Sequence, residues 1–552
     1  MYQPEPSSVA YPALISDIEK GMIKIPQFQR DFVWTKQKSA MLLDSIIKGY
    51  PIGTFILWKT KESLRSVRDL GDAKLPETPP GDFIQYVLDG QQRITSIFAS
   101  LQGLKIERDG GAIDDFGQIF IDLKASDDSE IVIIDASGKD PKTVVRVVDL
   151  INAPLSFLFA YPEAFHARLD ELRTRIKNYA FSTVLLREAP INVATEVFTR
   201  INVSGNPLTV FQIMVAKTFD ATRDFDLAEQ YDKLIERLKD VEYETIPPEV
   251  VLQAVSAIIV NDCDKRAILG LEKQRFIDTW PAAVDAIESA VDYLRNYYRI
   301  PVSALLPYRA LVIPFAYFFY HHNDKPTDEK QLYLQDFFWR TSLAGRYSSS
   351  LESRVVQDLK RIDDICAGRL PEYDYSIDIS PRFIAENGQF SAGRSYVKAI
   401  LCLLAYQEPK SFIDDSIVRI SNDWLKQANS KNYHHFFPRA YLQKVIDPRD
   451  PRINHIANIT IVDDHLNKRK IRDRAPSDYM ADFKTKNKKL AQTMNTHLID
   501  IETFGVWNDD FDTFFQKRCE AISEDIATRI IARPGEEHQQ RVELSDVEEV
   551  GV

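Results

Sequence analysis

Apolar and polar positions in the first two hundred residues switch between the spacing of strands and the spacing of helices. Thr35 precedes a helical pattern that continues to Ile47, so we expect Thr35 to cap that helix. Apolar residues at 94–101 have helical spacing and end at Gly103, a residue typical of helix ends. Runs rich in aromatic and branched residues predict strands at 54–58, 83–88, 117–123 and 130–134.

After a predicted hinge at Gly205 and Pro207 the spacing becomes mostly helical. Helical segments are predicted near 209–238, 248–261, 272–298, 308–322, 328–344, 350–367 and 393–405. A second mixed pattern occupies about 430–475, and helices return to about 532. The pattern predicts an α+β multidomain fold, divided into an α/β domain at 1–208, a helical connector at 209–405, a helical and mixed domain at 406–532 with its core at 431–475, and an acidic tail at 533–552 that is expected to be disordered.

Composition excludes several classes of protein. The chain has 552 residues, of which 44% are apolar, enough for sizeable cores. The most apolar stretch, LLPYRALVIPFAYFFY, is interrupted by proline and arginine, so no membrane span is expected. The first residues lack a signal pattern, and the four cysteines form no CxxC pair, so neither export, a disulfide framework nor a thiolate zinc site is expected. A reducing cytoplasm is the predicted location.

Charge is distributed unevenly along the chain. The net charge is −12, but residues 431–489 hold 14 Lys and Arg against 7 Asp and Glu. That segment therefore carries +7 and the remainder −19. A basic segment in an acidic protein predicts a contact with nucleic acid, although many charge runs are only solvated faces.

The stretch YVLDGQQRITSIFA places a strand directly before a glycine turn and a helix. Asp89 is expected to cap the helix, and Gly90 permits close backbone approach. The amides at 91–93 would then be unpaired donors at a positive helix end, which suits phosphate. The junction alone favours a purely structural interpretation, with Arg93 a solvated residue of the first turn.

Four of the nine histidines lie within 32 residues, at His434, His435, His455 and His465. The segment predicts a strand ending at His434-His435, a second strand at 456–462 containing Asn458, and a helix bearing Asn467 that Asp463 or Asp464 caps. One histidine and one asparagine suffice to bind a hard cation. The adjacent histidine can deprotonate water, and a buried asparagine can orient that base. This is the equipment for metal-assisted phosphodiester hydrolysis.

The segment resembles the His-Me finger (HNH) nuclease module of GmrSD-like modification-dependent (type IV) restriction endonucleases, a ββα-metal fold, through HHFFP, NITI and HLNKRK. The resemblance implies that His435 is the general base, Asn458 its positioning residue, and His434 with Asn467 the ligands of Mg²⁺ or another divalent metal. The family often has an acidic residue at the position of His434, and His465 is an alternative to Asn467. Contact with DNA is expected from Lys468, Arg469, Lys470 and Arg472.

Three further motifs resemble the ParB/sulfiredoxin-like nucleotide-binding domain of the same family: PQFQRDFVW, DGQQR and FTRINVSGNPLT, in that order. The resemblance implies phosphate contacts from the arginines and Mg²⁺ binding or water orientation by Asp89. The chain has no GxxxxGK[ST] motif. The expected nucleotide-binding residues are Arg30, Asp89, Gly90, Gln91, Gln92, Arg93, Arg200, Asn202 and Gly205.

The resemblance implies a bacterial anti-phage defence nuclease that senses modified double-stranded DNA and couples GTP, ATP or CTP hydrolysis to nicking or cleavage. Members respond to glucosylated hydroxymethylcytosine or, in SspE-like proteins, to phosphorothioate. For sulfur, the aromatics Phe28, Phe32 and Trp34 near Arg30 are pocket candidates, with a core role as the alternative. A homodimer is a further expectation. The alternatives are a nucleotide-switched DNA-binding protein without nuclease activity, and a defence enzyme or toxin acting on RNA.

Overall fold

The computed structural model describes residues 3–26, 32–62, 64, 66, 69–70, 73–79, 81–108, 112–201, 209–220, 222–322, 324–391, 393–422, 433–462 and 471–533. The chain divides into two compact units, Met1–Leu227 and Ala228–Val552. The predicted hinge at 205–207 and the predicted acidic tail from 534 onward lie outside the described residues. The predicted division into three domains and a tail stays a prediction.

The first unit is built on a mixed five-stranded sheet. Its strand order is β1-β12-β3-β6-β2, with β12 parallel to β3, β2 parallel to β6, and the other neighbours antiparallel. A smaller antiparallel sheet has the order β10-β9-β11. The strands of the described chain are β1 Glu5–Ala10, β2 Ile23–Lys24, β3 Phe55–Thr60, β4 Asp69–Leu70, β5 Ala73–Lys74, β6 Ile84–Asp89, β7 Lys105–Glu107, β8 Ile113–Asp115, β9 Phe120–Asp122, β10 Val132–Ile133, β11 Val144–Arg146, β12 Ala180–Arg187, β13 Tyr433–His435 and β14 Ile459–Ile461.

Helices form the rest of the first unit and most of the second. They are α1 Tyr11–Glu19, α2 Lys36–Ile47, α3 Gln91–Gln102, α4 Val147–Asn152, α5 Leu155–Leu158, α6 His166–Lys177, α7 Ile191–Ile201, α8 Val210–Thr218, α9 Leu227–Lys239, α10 Pro248–Val260, α11 Lys265–Gly270, α12 Lys273–Asn296, α13 Val312–His321, α14 Asp328–Leu343, α15 Leu351–Cys366, α16 Pro381–Asn387, α17 Ser395–Tyr406, α18 Arg439–Val445, α19 Pro476–Lys486, α20 Leu490–Asn495 and α21 Phe511–Ala527.

Local sequence signals place these helices well. The Thr35 side chain accepts a hydrogen bond from the Lys38 amide at the start of α2, and Gly103 ends α3 with φ of 68°, both as predicted. The prediction of one continuous helix at 209–238 is wrong. It is two helices, α8 and α9, separated by a turn in which the backbones of Asp220 and Phe225 pair.

The hairpin β13–β14 carries the histidine pair of the second unit. Tyr433 lies opposite Ile461, His434 opposite Thr460 and His435 opposite Ile459. The prediction of one strand over 456–462 is wrong, because a 3-10 turn at Ile456–Asn458 precedes the three residues of β14.

That turn begins where the His455 imidazole accepts a hydrogen bond from the Ala457 amide, which turns the backbone away from an extended path. Asn458 therefore ends a turn rather than lying inside a strand.

The described architecture is mixed α+β, as predicted. The ParB/sulfiredoxin-like and His-Me finger assignments stay predictions. Of the helices described, none is both long and apolar enough to cross a membrane.

Candidate functional site

The turn between β6 and α3 requires glycine at residue 90. Gly90 has φ of 90° and is itself the N-cap of α3, with no side-chain capping bond. The prediction that Asp89 caps this helix is therefore wrong. Asp89 is the last residue of β6, and its carboxylate accepts a hydrogen bond from the Arg93 guanidinium at 3.1 Å instead.

Protein acceptors surround the Arg93 guanidinium. Its Nη1 donates to the carbonyl of Ile52 at 2.8 Å and its Nη2 to the carbonyl of Thr54 at 3.1 Å, besides the ion pair with Asp89. The guanidinium also lies 5.3 Å from the centre of the Phe55 ring. Arg93 therefore ties the loop before β3 to the start of α3.

Gln92 joins the end of the PQFQRDFVW motif to the turn between β6 and α3. Its Oε1 accepts from the Val33 amide at 2.9 Å, and the Gln92 side chain is buried. Nearby, Arg108 donates to the carbonyls of Phe32 and Trp34. Phe32 and Trp34 are partly buried against the core of the first unit, as the alternative core interpretation predicts. The structure thus places residues 32–34 beside DGQQR.

Substitution of Gly90 tests how tightly this junction is built. A Cβ at residue 90 would lie 2.5 Å from the Phe55 ring, on a backbone whose φ already disfavours side chains. We expect Gly90→Ala to lower the free energy of unfolding of the first unit by roughly 3 kcal/mol, measured by urea denaturation. Gly138→Ala is the control, because Gly138 has φ of 77° but nothing within 4 Å of its Cβ position. Its cost is expected to be about 1 kcal/mol. Equal losses for the two variants would contradict the steric argument.

The other predicted nucleotide-binding residues are only partly described. Gln91 is partly exposed at the start of α3. Arg200 lies near the end of α7 with its side chain 78% exposed and paired with Glu196 at 2.8 Å. Arg30, Asn202 and Gly205 lie outside the described residues, as does Phe28. The nucleotide-binding assignments stay predictions.

In the second unit, His435 is held by a residue that the sequence analysis did not select. The His435 Nε2 lies 2.9 Å from Oδ1 of Asn454, and Nδ2 of Asn454 donates to the Phe390 carbonyl at 3.2 Å. The carbonyl can only accept, so the amide oxygen faces His435 and Nε2 carries the proton. Nδ1 of His435 then carries the lone pair and is the nitrogen that can accept a proton.

His435 is also kept neutral. Burial lowers its pKa from 6.5 to about 4, the Asn454 contact opposes this shift, and the positive charge of Arg439 adds to it. The imidazole can therefore accept a proton at neutral pH, although the lowered pKa also makes it a weaker base.

Asn458 fixes the chain that follows His435. Its Oδ1 accepts from the Phe437 amide at 2.8 Å, and its Nδ2 donates to the carbonyls of Phe437 and Ile453 at 3.0 and 3.2 Å. Asn458 is fully buried, and the hydrogen bonds described for it go to the backbone rather than to the His435 ring. It therefore shapes the loop after β13.

His434 makes contacts different from those of His435, as expected for consecutive residues of a strand. The Thr460 hydroxyl donates to the His434 carbonyl at 3.3 Å, so it accepts from Nδ1 of the ring at 3.2 Å. Nε2 then carries a lone pair, is buried and has no partner within the described residues. Burial, followed by the charges of His435 and His497, lowers the His434 pKa from 6.5 to about 3.

This donor fits a divalent cation in part. A neutral imidazole nitrogen without a partner, oriented by a hydrogen bond on its other side, is a suitable ligand. However, the ring is only 2% exposed and lies 6.3 Å from both the Phe412 and Tyr479 rings, so an ion here would be enclosed. Asn467 and its alternative His465 lie outside the described residues, and the rest of the described chain has no cluster of three acidic, histidine or cysteine ligands.

Basic residues lie beside the hairpin. Arg439 follows the HHFFP motif at the start of α18, is exposed, and is close enough to influence His435 electrostatically. Arg472 is exposed as well. The remaining predicted DNA contacts, Lys468, Arg469 and Lys470, lie outside the described residues. The sequence pattern did not indicate Asn454 or Arg439 as site residues, because neither belongs to a recognisable motif spacing. Asn454 is identified only because Phe390, 64 residues earlier, fixes its amide.

Two further buried histidines predict acid sensitivity of the second unit. Burial lowers the pKa of His455 to about 4 and that of His497 to about 3, and both donate from Nε2 to backbone carbonyls. They must stay neutral when folded, whereas the unfolded chain takes up protons near pH 6.5. Stability is therefore complete above about pH 6.5 and falls with decreasing pH, by about 1.4 kcal/mol per pH unit for each histidine.

The test is the free energy of unfolding at pH 7.5 and pH 5 for the wild type and His497→Gln. Glutamine retains a donor for the Lys410 carbonyl but does not titrate. We expect the variant to lose about 2 kcal/mol less than the wild type over this range. The same substitution at His321, which is exposed, is the control. An unchanged pH dependence in His497→Gln would contradict the argument.

Part of the chain is similar to a known protein family. Residues 12–219 match the family described as GmrSD restriction endonuclease, N-terminal domain. The match includes all three predicted nucleotide-site motifs, so this part of the chain is similar to the N-terminal domain of those proteins. An uncharacterized protein of Methanocaldococcus jannaschii is 24% identical, over 92% of this chain and 94% of its own length.

Proposed function

We propose that this protein is a defence nuclease of the HNH type, which hydrolyses DNA at the β13–β14 hairpin under the control of a nucleotide-binding domain in the first unit. The observation that carries the proposal is the state of His435. Its Nε2 donates to Asn454, which leaves the lone pair on Nδ1, and burial lowers its pKa. The match of residues 12–219 to a restriction endonuclease family supports the class of substrate.

In the proposed reaction, Nδ1 of His435 takes a proton from water as the water oxygen attacks phosphorus and the bond to the leaving oxygen breaks. In this proposal the exposed Arg439 binds a phosphate next to the attacked one, because a guanidinium binds phosphate oxygens with two donors. Asn458 keeps residues 436–438 in the conformation that presents both side chains.

A divalent cation, Mg²⁺ or a similar ion, would be held by His434 through Nε2 together with Asn467 or His465. When bound, it would stabilise the negative charge that develops on the leaving oxygen. Because Mg²⁺ gives up its water shell reluctantly, the enclosed surroundings of His434 favour a divalent ion that loses water more readily.

For the first unit we propose binding and hydrolysis of GTP, ATP or CTP at the β6–α3 junction. The support is the glycine that the turn requires, the start of α3 directly after it, and the hydrogen bond that joins Val33 to Gln92. Sensing of DNA modification, a homodimer and a cytoplasmic location belong to the same proposal.

The test is cleavage of supercoiled plasmid that is unmodified, phosphorothioated or carries glucosylated hydroxymethylcytosine. Each substrate is incubated with Mg²⁺ or Mn²⁺, with and without each nucleotide, and phosphate release is followed in parallel. Metal-dependent nicking is the expected result. Salt-sensitive DNA binding without cleavage under any condition would favour the DNA-binding alternative, and preferential cleavage of RNA would favour the third hypothesis.

A further inference from the structure

We propose that Asn454 is the positioning residue of the general base, a role that the sequence motif would give to Asn458. The inference rests on the proposed nuclease function. The two asparagines have different roles. Asn458 sets the path of the loop after His435, and Asn454 sets the orientation of the His435 ring.

The orientation follows from the donors and acceptors alone. The Phe390 carbonyl lies 3.2 Å from the Asn454 Nδ2 and cannot donate, so the amide has one possible orientation. Its oxygen then lies 2.9 Å from the His435 Nε2. The ring is held as the Nε2–H tautomer, and rotation of the ring by 180° would lose the hydrogen bond.

Asn454 is itself held from two sides. The Phe390 amide donates to the Asn454 carbonyl at 3.0 Å, so residues 390 and 454 exchange two hydrogen bonds. The Phe390 ring packs edge-on against Tyr433, the first residue of β13, at 4.9 Å. The acceptor for His435 is therefore fixed to the strand that carries His435.

The segment after α16 completes this support. The Ile456 amide donates to the Gly388 carbonyl at 2.8 Å, and a Cβ at Gly388 would lie 2.3 Å from the His455 ring. Gln389 pairs with His455 as an isolated bridge. Residues 388–390, outside the hairpin, thus position the residue that orients the base.

The side-chain hydrogen bonds described for Asn458 are all made to the backbone. Its oxygen and both amide hydrogens serve the backbone of Phe437 and Ile453. A change at Asn458 is expected to alter the loop, whereas a change at Asn454 is expected to release the ring alone.

The experiment compares Asn454→Ala, Asn454→Asp and a matched control, Asn387→Ala, in the full-length chain. Asn387 lies on α16, and its side chain donates to the Phe383 carbonyl at 3.0 Å. The substitution Asn387→Ala therefore removes a side-chain amide from the same segment, and the described hydrogen bond of that amide does not involve His435. Two quantities are measured: the kcat and KM of plasmid nicking, and the Nε2–H proton of His435 in ¹⁵N-histidine-labelled protein, assigned by its absence in His435→Ala.

We expect Asn454→Ala to lower kcat about 100-fold with KM for DNA nearly unchanged, because the base is misplaced while the DNA contacts remain. The Nε2–H signal should be visible in the wild type and Asn387→Ala and lost by solvent exchange in Asn454→Ala. Asn454→Asp keeps an acceptor at the same place, so it should retain the signal and a higher kcat than alanine.

If the wild type is active and Asn454→Ala keeps either the full kcat or the Nε2–H signal, this inference is overturned and the proposed function is not. A kcat for Asn454→Asp as low as that of alanine, with the signal retained, also overturns it by indicating a purely structural role. A wild type without nuclease activity on any substrate overturns the proposed function and this inference together.

Discussion

Replacing His435 by alanine is expected to abolish DNA cleavage, with kcat reduced at least about 10³-fold, while the second unit stays folded. General-base catalysis supplies roughly 10²–10⁴-fold of rate enhancement, and the substitution removes the imidazole that would supply it. Among the described residues, the side chain of His435 makes one hydrogen bond, from Nε2 to Asn454, so the stability of the variant should fall by about 1 kcal/mol.

The measurement is nicking of supercoiled plasmid under single-turnover conditions, with urea denaturation of the same preparations. His321→Ala is the matched control, because His321 is an exposed histidine in the same unit at the end of α13. Cleavage at the wild-type rate by folded His435→Ala would remove His435 from the reaction and leave the DNA-binding alternative as the better hypothesis.

Replacing Asn458 by alanine is expected to have the largest effect on stability in the hairpin region. Three hydrogen bonds disappear, and the Phe437 amide with the carbonyls of Phe437 and Ile453 would be left buried without those partners. Each orphaned buried group costs about 1–3 kcal/mol, and partial relaxation makes a total of about 3–5 kcal/mol the reasonable expectation. Activity should fall as well, because the loop that follows His435 loses its support.

Hydrogen exchange at the Phe437 amide distinguishes this local effect from general loosening. Asn487→Ala is the matched control: Asn487 is also buried in the second unit and makes three hydrogen bonds, to Phe412, Thr493 and Lys489. Both variants should lose stability, but only Asn458→Ala should speed exchange at Phe437 beyond its loss of global stability. Equal exchange in the two variants would show that Asn458 has no particular role in the loop.

The two predictions separate roles that the sequence motif combines. His435 is expected to affect rate with little change in stability, whereas Asn458 is expected to affect stability and, through it, rate. Replacing Asn454 is expected to lower kcat with little change in the free energy of unfolding. A set of three variants at one site thus distinguishes the chemistry, the orientation of the base and the scaffold.

Much of the secondary structure was predictable, because its signals are local. The cap at Thr35, the glycine end of α3 and the helical spacing of α10 through α15 each depend on residues within a few turns of one another. The three motifs of the first unit were recognisable for the same reason, and the match at residues 12–219 agrees with them.

Predictions failed where a local signal competed with a distant partner. Asp89 has the chemistry of a helix cap, but Arg93 takes its carboxylate while the carbonyls of Ile52 and Thr54, about forty residues earlier, bind the same guanidinium. Asn458 was predicted to lie in a strand. However, the His455 ring donates from Nε2 to the Ile384 carbonyl, 71 residues earlier, and its Nδ1 accepts from the Ala457 amide, which starts a turn before Asn458.

The sequence by itself determined the order of strands and helices, the glycine turn of the first unit and the histidine pair of the second, since these depend on short-range spacing and backbone preference. Only the tertiary structure decided which nitrogen of His435 carries a proton, which asparagine faces its ring and which acceptors surround Arg93. Those properties depend on hydrogen bonds between residues 19 to 64 positions apart, and such pairs form only when the packed elements bring them within 3 Å or so of each other.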